Sequence, residues 1–169
     1  MREIKLEPGQ NIISKTDRKG IVLSGNDTFW EISGFREAEL VGRPHNLLRH
    51  ADMPRVAFKL LWDKLKAGYE VRAFVKNRAK NGDYYWVYAS VQPSINRKTG
   101  LVEGYYSIRK RARPEAVEQI AGIYEKLLMT ERMDGNLKGA IGLLKSVLDA
   151  KESKFNDLMA KLQTGTDRI

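Results

Sequence analysis

Cysteine is absent from the 169-residue sequence, and histidine occurs only twice. Without thiols the chain cannot form a disulfide framework, a thiol nucleophile or a thiolate-bound metal or iron–sulfur site, and such a composition is compatible with a reducing cytoplasm. No run of about 18 apolar residues occurs, which is the length that a membrane-spanning helix requires. Residues 1–6 lack the apolar core of a signal peptide. We therefore expect a cytoplasmic protein that is not itself inserted in a membrane.

The sequence also lacks the short motifs of common catalytic sites. It contains no glycine-rich dinucleotide fingerprint, phosphate-binding loop, nucleophile elbow or metal triad. We therefore expect no turnover of a substrate and no metal site.

Positive charge is abundant but unevenly distributed. The formal net charge is +9; residues 1–113 hold 22 Lys and Arg against 12 Asp and Glu, whereas residues 114–169 hold 8 against 9. A basic domain invites a nucleic-acid hypothesis. However, the cations are scattered over predicted helices, strands and turns, and no known nucleic-acid-binding motif is present. We expect no nucleic-acid binding, since an anionic ligand or an acidic protein partner explains the charge equally well.

The first 113 residues alternate between short strands and helices. Strands are predicted from β-branched and aromatic residues, helices from caps and apolar spacing, and turns from Gly, Asn and Asp. The predicted strands are residues 12–13, 21–24, 71–75, 84–91 and 101–111, and the predicted helices are residues 28–33, 36–41 and 56–65. Residues 80–83 (Lys-Asn-Gly-Asp) are a strong hairpin signal. These elements predict an α+β fold over residues 10–113, with a five-stranded antiparallel sheet and short helices on one side.

A polar segment at residues 44–54 contains both histidines, His45 and His50, together with Arg49 and Asp52. Prolines at both ends prevent a long regular helix, so we predict short turns with outward-pointing polar side chains. Such turns commonly carry function because a rigid scaffold can aim them at a ligand. The alternative is a solvated connection whose local ion pairs contribute little to stability.

Residues 114–169 are predicted as a separate helical extension that begins at Pro114. Apolar residues recur at helical spacing over residues 117–128, 137–148 and 155–162. Each helix must bury its apolar face against the other helices, the sheet, a second copy of the chain or another protein.

Several motifs resemble the PAS domains of bacterial aerotaxis receptors. They are, in order, residues 26–29, 32–35, 44–46, 49–54, 75–78, 80–83 and 85–87. A lone PAS domain with a short helical tail also resembles the small PAS subunit of bipartite energy-taxis receptors, in which the sensor and the membrane-bound signalling subunit are separate chains. The resemblance implies a PAS sensor at residues 10–113, and a signalling, partner or dimer contact at residues 114–169.

The same resemblance implies a function and a set of binding residues. The family binds FAD noncovalently and reports redox state or respiratory electron flow to a methyl-accepting chemoreceptor-type partner, through which the sensor would be associated with the membrane. A homodimer is also compatible with the resemblance. Carried over residue by residue, it implies cofactor contacts at Arg49, His50 and Asp52, further contacts at Asn26 and Asn77, and support of the loop by His45.

The chemistry of these residue types suits a flavin nucleotide. Arg offers paired donors to a pyrophosphate, and His can donate or carry charge beside it. A flavin ring needs a largely apolar slot with a few amide donors and acceptors. Asn77 is the stronger of the two Asn candidates because a strand interior disfavours Asn unless its side chain has a partner, whereas Asn26 can be simply a helix cap.

The sequence departs from the aerotaxis pattern at two places. Ala51 stands where proline is usual, and Val71 and Ala73 occupy the positions of a Trp-x-Gly, so the aromatic residue that would lie against the flavin is missing. Three alternatives are therefore kept: a haem-binding PAS domain with His45 or His50 as axial ligand, a cofactor-free dimerisation or docking module, and a flavin reductase that oxidises a pyridine nucleotide.

Overall fold

The computed structural model describes residues 1–169 and contains one five-stranded antiparallel sheet. The strands are β1 (Asn11–Asp17), β2 (Val22–Gly25), β3 (Val71–Arg78), β4 (Tyr84–Ile95) and β5 (Val102–Arg111). Their order across the sheet is β2-β1-β5-β4-β3. The predicted α+β fold with a five-stranded antiparallel sheet is confirmed, and β1 pairs with β5 although most of the domain separates them in sequence.

Six α-helices accompany the sheet. They are α1 (Asp27–Ser33), α2 (Glu37–Leu40), α3 (Arg55–Lys66), α4 (Pro114–Asp134), α5 (Lys138–Ala150) and α6 (Phe155–Thr164), and a 3₁₀ turn covers His45–Leu48. Helix α1 begins where the Asn26 side chain accepts a hydrogen bond from Phe29 N, and it ends at Gly34, whose φ of 73° is left-handed. None of the helices combines the length and the apolar character that crossing a bilayer would need.

Strand β4 is longer than predicted. The sequence predicted a strand that ends at Val91, followed by a connection, yet β4 continues through Pro93 to Ile95. Proline cannot donate to a strand ladder, so its place in β4 needs an explanation. The pairing of β3 with β4 ends at Val91, whereas β5 continues alongside. Pro93 therefore lies where one side of β4 has no neighbouring strand, and a missing N–H donor is tolerated there.

Because side chains alternate along a strand, the sheet has two distinct faces. We call the face that carries Asn77, Ala89 and Arg109 the inner face, and the face that carries Phe74 and Tyr88 the outer face. The C-terminal helices pack on the outer face: the Tyr124 hydroxyl of α4 donates a 2.7 Å hydrogen bond to the carbonyl of Phe74. The apolar faces of α4 and α6 are thus buried against the sheet of the same chain.

Two side-chain amides fasten α6 to the sheet. The Asn156 Oδ1 accepts from Arg72 N at 2.9 Å, and its Nδ2 donates to the carbonyl of Glu70 at 2.8 Å. Gln163 pairs in the same way with the backbone at residues 111–113, with distances of 2.9 and 3.0 Å. Asn156 therefore occupies the hydrogen-bonding groups of an edge strand that would otherwise be open to another chain.

Candidate ligand-binding cavity

A cavity of about 260 Å³ lies between the inner face of the sheet, helix α3 and residues 44–49. Residues that oppose one another across neighbouring strands form its floor, such as Ser14 and Ser107, or Ala89 and Arg109. Small side chains at several of these positions leave room for the cavity, and the α3 side chains form the opposite wall.

Helix α3 supplies an aromatic wall. Phe58, Leu61, Trp62 and Leu65 line the cavity from successive turns of the helix. The Trp62 ring meets the Tyr105 ring edge to face, with centroids 5.1 Å apart. Trp62 also closes against Gly20, where an added Cβ would lie 3.3 Å from the indole. Trp62 could not be assigned to the cavity from the sequence, because a Trp that flanks the apolar stripe of a helix is usually part of the core. Only the packing of α3 over the sheet shows that it lines the cavity.

Arg109 places a buried positive charge in this cavity. The residue is 2% exposed, and burial lowers the pKa of its guanidinium to about 10, which still leaves it protonated at neutral pH. Its Nη2 donates to the Ser14 hydroxyl, and its Nη1 lies 3.0 Å from His45 Nε2. No carboxylate forms an ion pair with it.

Two polar atoms of the cavity lining are buried without a hydrogen-bond partner, the Arg109 Nε and the Thr16 Oγ1. Buried polar groups are nearly always hydrogen-bonded, and a buried charge is nearly always paired. A buried guanidinium that has no acidic partner and a free Nε therefore points to an anionic or electron-rich ligand group beside Arg109. Thr16 is a separate polar point of the floor, since it pairs with Tyr105, four residues from Arg109 along β5. Arg109 could have been suspected from the sequence, because it follows Tyr105 and Ser107 at period two, but not assigned to the cavity.

His45 is neutral and holds Arg109. Burial of the ring and the charge of Arg109 lower the pKa of His45 to about 3. Its ring stacks on Phe29, with centroids 5.9 Å apart and an interplanar angle of 11°. Arg109 also lies over Phe29, with its Cζ 4.8 Å from the ring centroid. His45 is therefore fixed on both sides, and the direction of the Arg109 fork is fixed with it.

Three of the six sequence-predicted residues, Arg49, Asn77 and His45, line the cavity. The Arg49 guanidinium lies over the ring of Phe58 at 4.3 Å and donates to the carbonyl of Met53 at 3.1 Å. Asn77 is 4% exposed and faces the same space from β3.

The other three lie outside it. His50 Nδ1 accepts from the backbone N of Asp52 at 3.1 Å, and the Asp52 carboxylate pairs with Lys76 Nζ at 2.6 Å. Asn26 holds the start of α1, where its Oδ1 also accepts from Ile13 N at 3.0 Å.

The separation of Arg49 from His50 has a simple geometric cause. Arg49 forms a bridge with Asn77, and His50 N donates to the carbonyl of Lys76 at 3.3 Å. The segment thus runs extended along the edge of β3, where successive side chains point to opposite sides. Arg49 faces the cavity, and His50 and Asp52 are directed toward Lys76 on the other side.

A five-stranded antiparallel sheet that folds with short helices over an internal cavity defines a class of small α+β domains. The chain belongs to the PAS fold family, whose model matches residues 22–109, more than half of the sequence. This assignment agrees with the resemblance noted in the sequence.

The following two proteins are among the relatives that match the chain. It is 43% identical over 116 residues to the aerotaxis receptor of Escherichia coli, covering 69% of this chain and 22% of the receptor. It is 22% identical over 160 residues to the bacterioopsin transcriptional activator of Halobacterium salinarum, covering 95% of this chain and 21% of that protein. The chain thus spans about a fifth of the length of these relatives.

Solved structures show the same fold. The light-state structure of the blue-light photoreceptor Aureochrome1 LOV has a TM-score of 0.58 and 17% identity, and the match covers 74% of this chain and 93% of that one. A light-oxygen-voltage domain described with a flavin analogue has a TM-score of 0.58 and 15% identity, with coverage of 76% and 91%. At these identities the likeness establishes the fold and nothing finer.

Proposed function

We propose that this chain is a redox or energy sensor for aerotaxis that binds FAD noncovalently in the PAS cavity and passes the redox state of the flavin to a chemoreceptor-type signalling partner. The observation that carries the proposal is Arg109, a buried cation with no acidic partner and an unpaired Nε in the cavity. The 43% identity with an aerotaxis receptor supports the sensory role.

The cavity suits the ring of a flavin better than a whole dinucleotide. Its volume of about 260 Å³ lies just below the range of about 300–1,000 Å³ usual for ligand pockets. It therefore accommodates one ring system, and the nucleotide arm must leave through the opening. The walls combine aromatic and aliphatic surface with few polar groups, which is the lining that a flavin ring requires.

Each residue then has a role that follows from its position. FAD supplies a ring whose charge and hydrogen bonding change on reduction. Arg109 and Asn77 would hydrogen-bond to the polar edge of that ring, and Trp62 would supply the aromatic surface that Val71 and Ala73 do not. Arg49 has the donor geometry for a phosphate of the nucleotide arm.

The remaining predicted residues would act by holding backbone in place. His50 and Asp52 fix the segment that carries Arg49 to β3, through the Asp52–Lys76 ion pair and the His50–Asp52 hydrogen bond. Asn26 fixes the start of α1 to β1. We propose that all three influence FAD binding indirectly.

The geometry favours flavin over haem. An axial ligand needs an imidazole nitrogen that is free and faces the cavity. His45 Nε2 faces the Arg109 guanidinium at 3.0 Å, and His50 lies outside the cavity with its Nδ1 engaged by Asp52 N. A cofactor-free docking module would leave Arg109 without an acidic partner, and the Arg109 Nε and the Thr16 hydroxyl without a hydrogen-bond partner, at a cost in free energy.

The absorption spectrum of the purified protein, before and after incubation with FAD, tests the proposal. We expect two broad flavin bands and release of FAD on denaturation. Arg109→Gln should bind little FAD while keeping its circular dichroism spectrum. Arg111→Gln is the matched control, because Arg111 lies on the same strand with an exposed side chain. A wild-type protein that takes up no FAD would overturn the proposal, and steady NADH oxidation would favour a reductase instead.

A further inference from the structure

Helix α3, which forms the cavity wall, is capped by a residue of the C-terminal extension. Its own N-cap is Pro54, which makes no side-chain cap hydrogen bond. Instead, the Glu131 carboxylate of α4 accepts from Arg55 N at 3.0 Å and from Val56 N at 2.8 Å, the first two amides of the helix. A carboxylate at a helix N-terminus satisfies open donors and complements the helix dipole. The start of α3 thus depends on a residue 76 positions further along the chain.

The Glu131 carboxylate uses both of its oxygens in this contact with α3. The residue is 8% exposed although it is charged. Buried carboxylates are costly unless they are hydrogen-bonded, so α4 and the start of α3 are held together more strongly than apolar packing alone would hold them.

Two cavity residues, Arg49 and Phe58, meet near the start of α3. Phe58 lies one turn into the helix, and the Arg49 guanidinium covers its ring at 4.3 Å. Arg49 in turn donates to the carbonyl of Met53, next to the proline that precedes the helix. Glu131 acts on Arg49 electrostatically as well: burial lowers the pKa of Arg49, and the Glu131 carboxylate opposes that shift.

The same helix is bonded to the sheet. Tyr124 donates to the carbonyl of Phe74 on β3 at 2.7 Å, and Asn77 lies further along that strand. Glu131 follows Tyr124 by seven residues, or two helical turns, so both side chains leave the same side of α4. Helix α4 is therefore hydrogen-bonded both to the helix that forms the wall of the cavity, α3, and to a strand of its floor, β3.

We propose that Glu131 is a positioning residue of the cavity. Through Glu131, binding of a ligand in the cavity stabilises helix α4 in its docked position. This inference rests on the proposed function, which identifies the ligand as FAD. A ligand that contacts Arg49 and the aromatic wall stabilises one position of the start of α3. Because Glu131 of α4 is hydrogen-bonded to that start, the same ligand also stabilises the position of α4. By thermodynamic reciprocity, a partner that displaces α4 weakens ligand binding by the same factor.

The test compares full-length wild type with Glu131→Gln and with Glu125→Gln, the matched control with an exposed side chain on the same helix. FAD affinity is measured by fluorescence titration, and backbone protection by hydrogen exchange. We expect Glu131→Gln to bind FAD roughly tenfold more weakly, a typical size for coupling between sites. We also expect FAD to protect residues 117–134 in wild type and in Glu125→Gln, but not in Glu131→Gln.

A purely structural cap gives a different result. Glu131→Gln would then lower the melting temperature and leave both the FAD dissociation constant and the FAD-induced protection of α4 at their wild-type values. That outcome would overturn the inference while leaving the proposed function intact.

Failure of the proposed function is distinguishable from failure of this inference, because wild type itself would then bind no FAD. The coupling is then judged without ligand, from hydrogen exchange of residues 114–134 in Arg49→Gln, Glu131→Gln and the double variant. Coupling predicts that Arg49→Gln speeds exchange in α4 only when Glu131 is present. Equal effects of Arg49→Gln in both backgrounds would refute it.

Discussion

The Nη1 of Arg109 lies 3.0 Å from the Nε2 of His45. Because the guanidinium has only donors, the imidazole nitrogen must accept, and the neutral His45 carries its proton on Nδ1. A protonated His45 would place two cations against each other inside the protein. The charge of this pair therefore stays at that of Arg109 alone only while His45 is neutral.

This relationship predicts a pH dependence of stability. The pKa of His45 is lowered from 6.5 to about 3. Below pH 6.5 the unfolded chain protonates His45 and the folded protein does not, so the free energy of unfolding falls as the pH is lowered, by up to about 1.4 kcal/mol per pH unit. Chemical denaturation at pH 7.5 and 5.5 measures the effect above the range in which most carboxylates titrate.

His45→Gln is the comparison that isolates this residue. Glutamine offers Arg109 an acceptor that does not titrate, so stability should change less between the two pH values than in wild type. His50, whose pKa burial also lowers, is present in both proteins and cancels in the comparison. An equal pH dependence in the two proteins would contradict the assignment.

Trp62 should contribute directly to FAD binding. Trp62→Leu keeps apolar volume but removes the aromatic surface, and we expect affinity to fall about tenfold, equivalent to about 1.4 kcal/mol. Trp30→Leu should leave affinity unchanged because Trp30 does not line the cavity. Titration followed by flavin fluorescence measures both, and equal losses would indicate a general effect on folding.

Arg49 and Asp52 should differ in their effects although they are three residues apart. Arg49→Gln removes donors that face the cavity, and we expect FAD affinity to fall about tenfold to a hundredfold, the range for a hydrogen bond to a charged group. Asp52→Asn weakens only an exposed ion pair with Lys76 and should change affinity less than threefold, as exposed ion pairs contribute about 0–1 kcal/mol. The reverse order would mean that the nucleotide arm leaves past Asp52.

Asn156 should be needed to keep α6 on the sheet. Asn156→Leu leaves the amide of Arg72 and the carbonyl of Glu70 without their partner, and we expect the free energy of unfolding to fall by about 1 kcal/mol. Hydrogen exchange should increase in α6 and at the start of β3. Asn156→Asp keeps the acceptor and loses the donor, so an intermediate effect is expected; no change in either variant would show that apolar packing alone holds the helix.

Much of the secondary structure could be predicted because its signals are local. The Lys80–Asp83 turn is an example: Gly82 adopts φ 93° and Ala79 N donates to the carbonyl of Asp83 at 2.7 Å, as the Asn-Gly pair indicated. The continuation of β4 through Pro93 was missed because tolerance of proline depends on whether a neighbouring strand is present, which is not a local property.

The candidate site was predicted only in part for a similar reason. The polar segment at residues 44–54 was recognised from its composition, but its division into Arg49 inside and His50 outside follows from pairing with β3. Arg109 could not be assigned to the cavity from the sequence, because its neighbours Ser14 and His45 are 95 and 64 residues away in the chain. A basic residue near the end of a strand is indistinguishable from a solvent-exposed one until the strand order is known.

The sequence by itself determined the strands, the turns, the helical extension and the resemblance to PAS sensors, because backbone propensities and apolar periodicity act over a few residues. Only the tertiary structure decided which side chains share the cavity and which residue caps its wall. Strand order sets the first, because β5 must lie beside β1 for Arg109 to reach Ser14. The packing of α4 sets the second, because Glu131 reaches α3 only when α4 is docked on the outer face of the sheet.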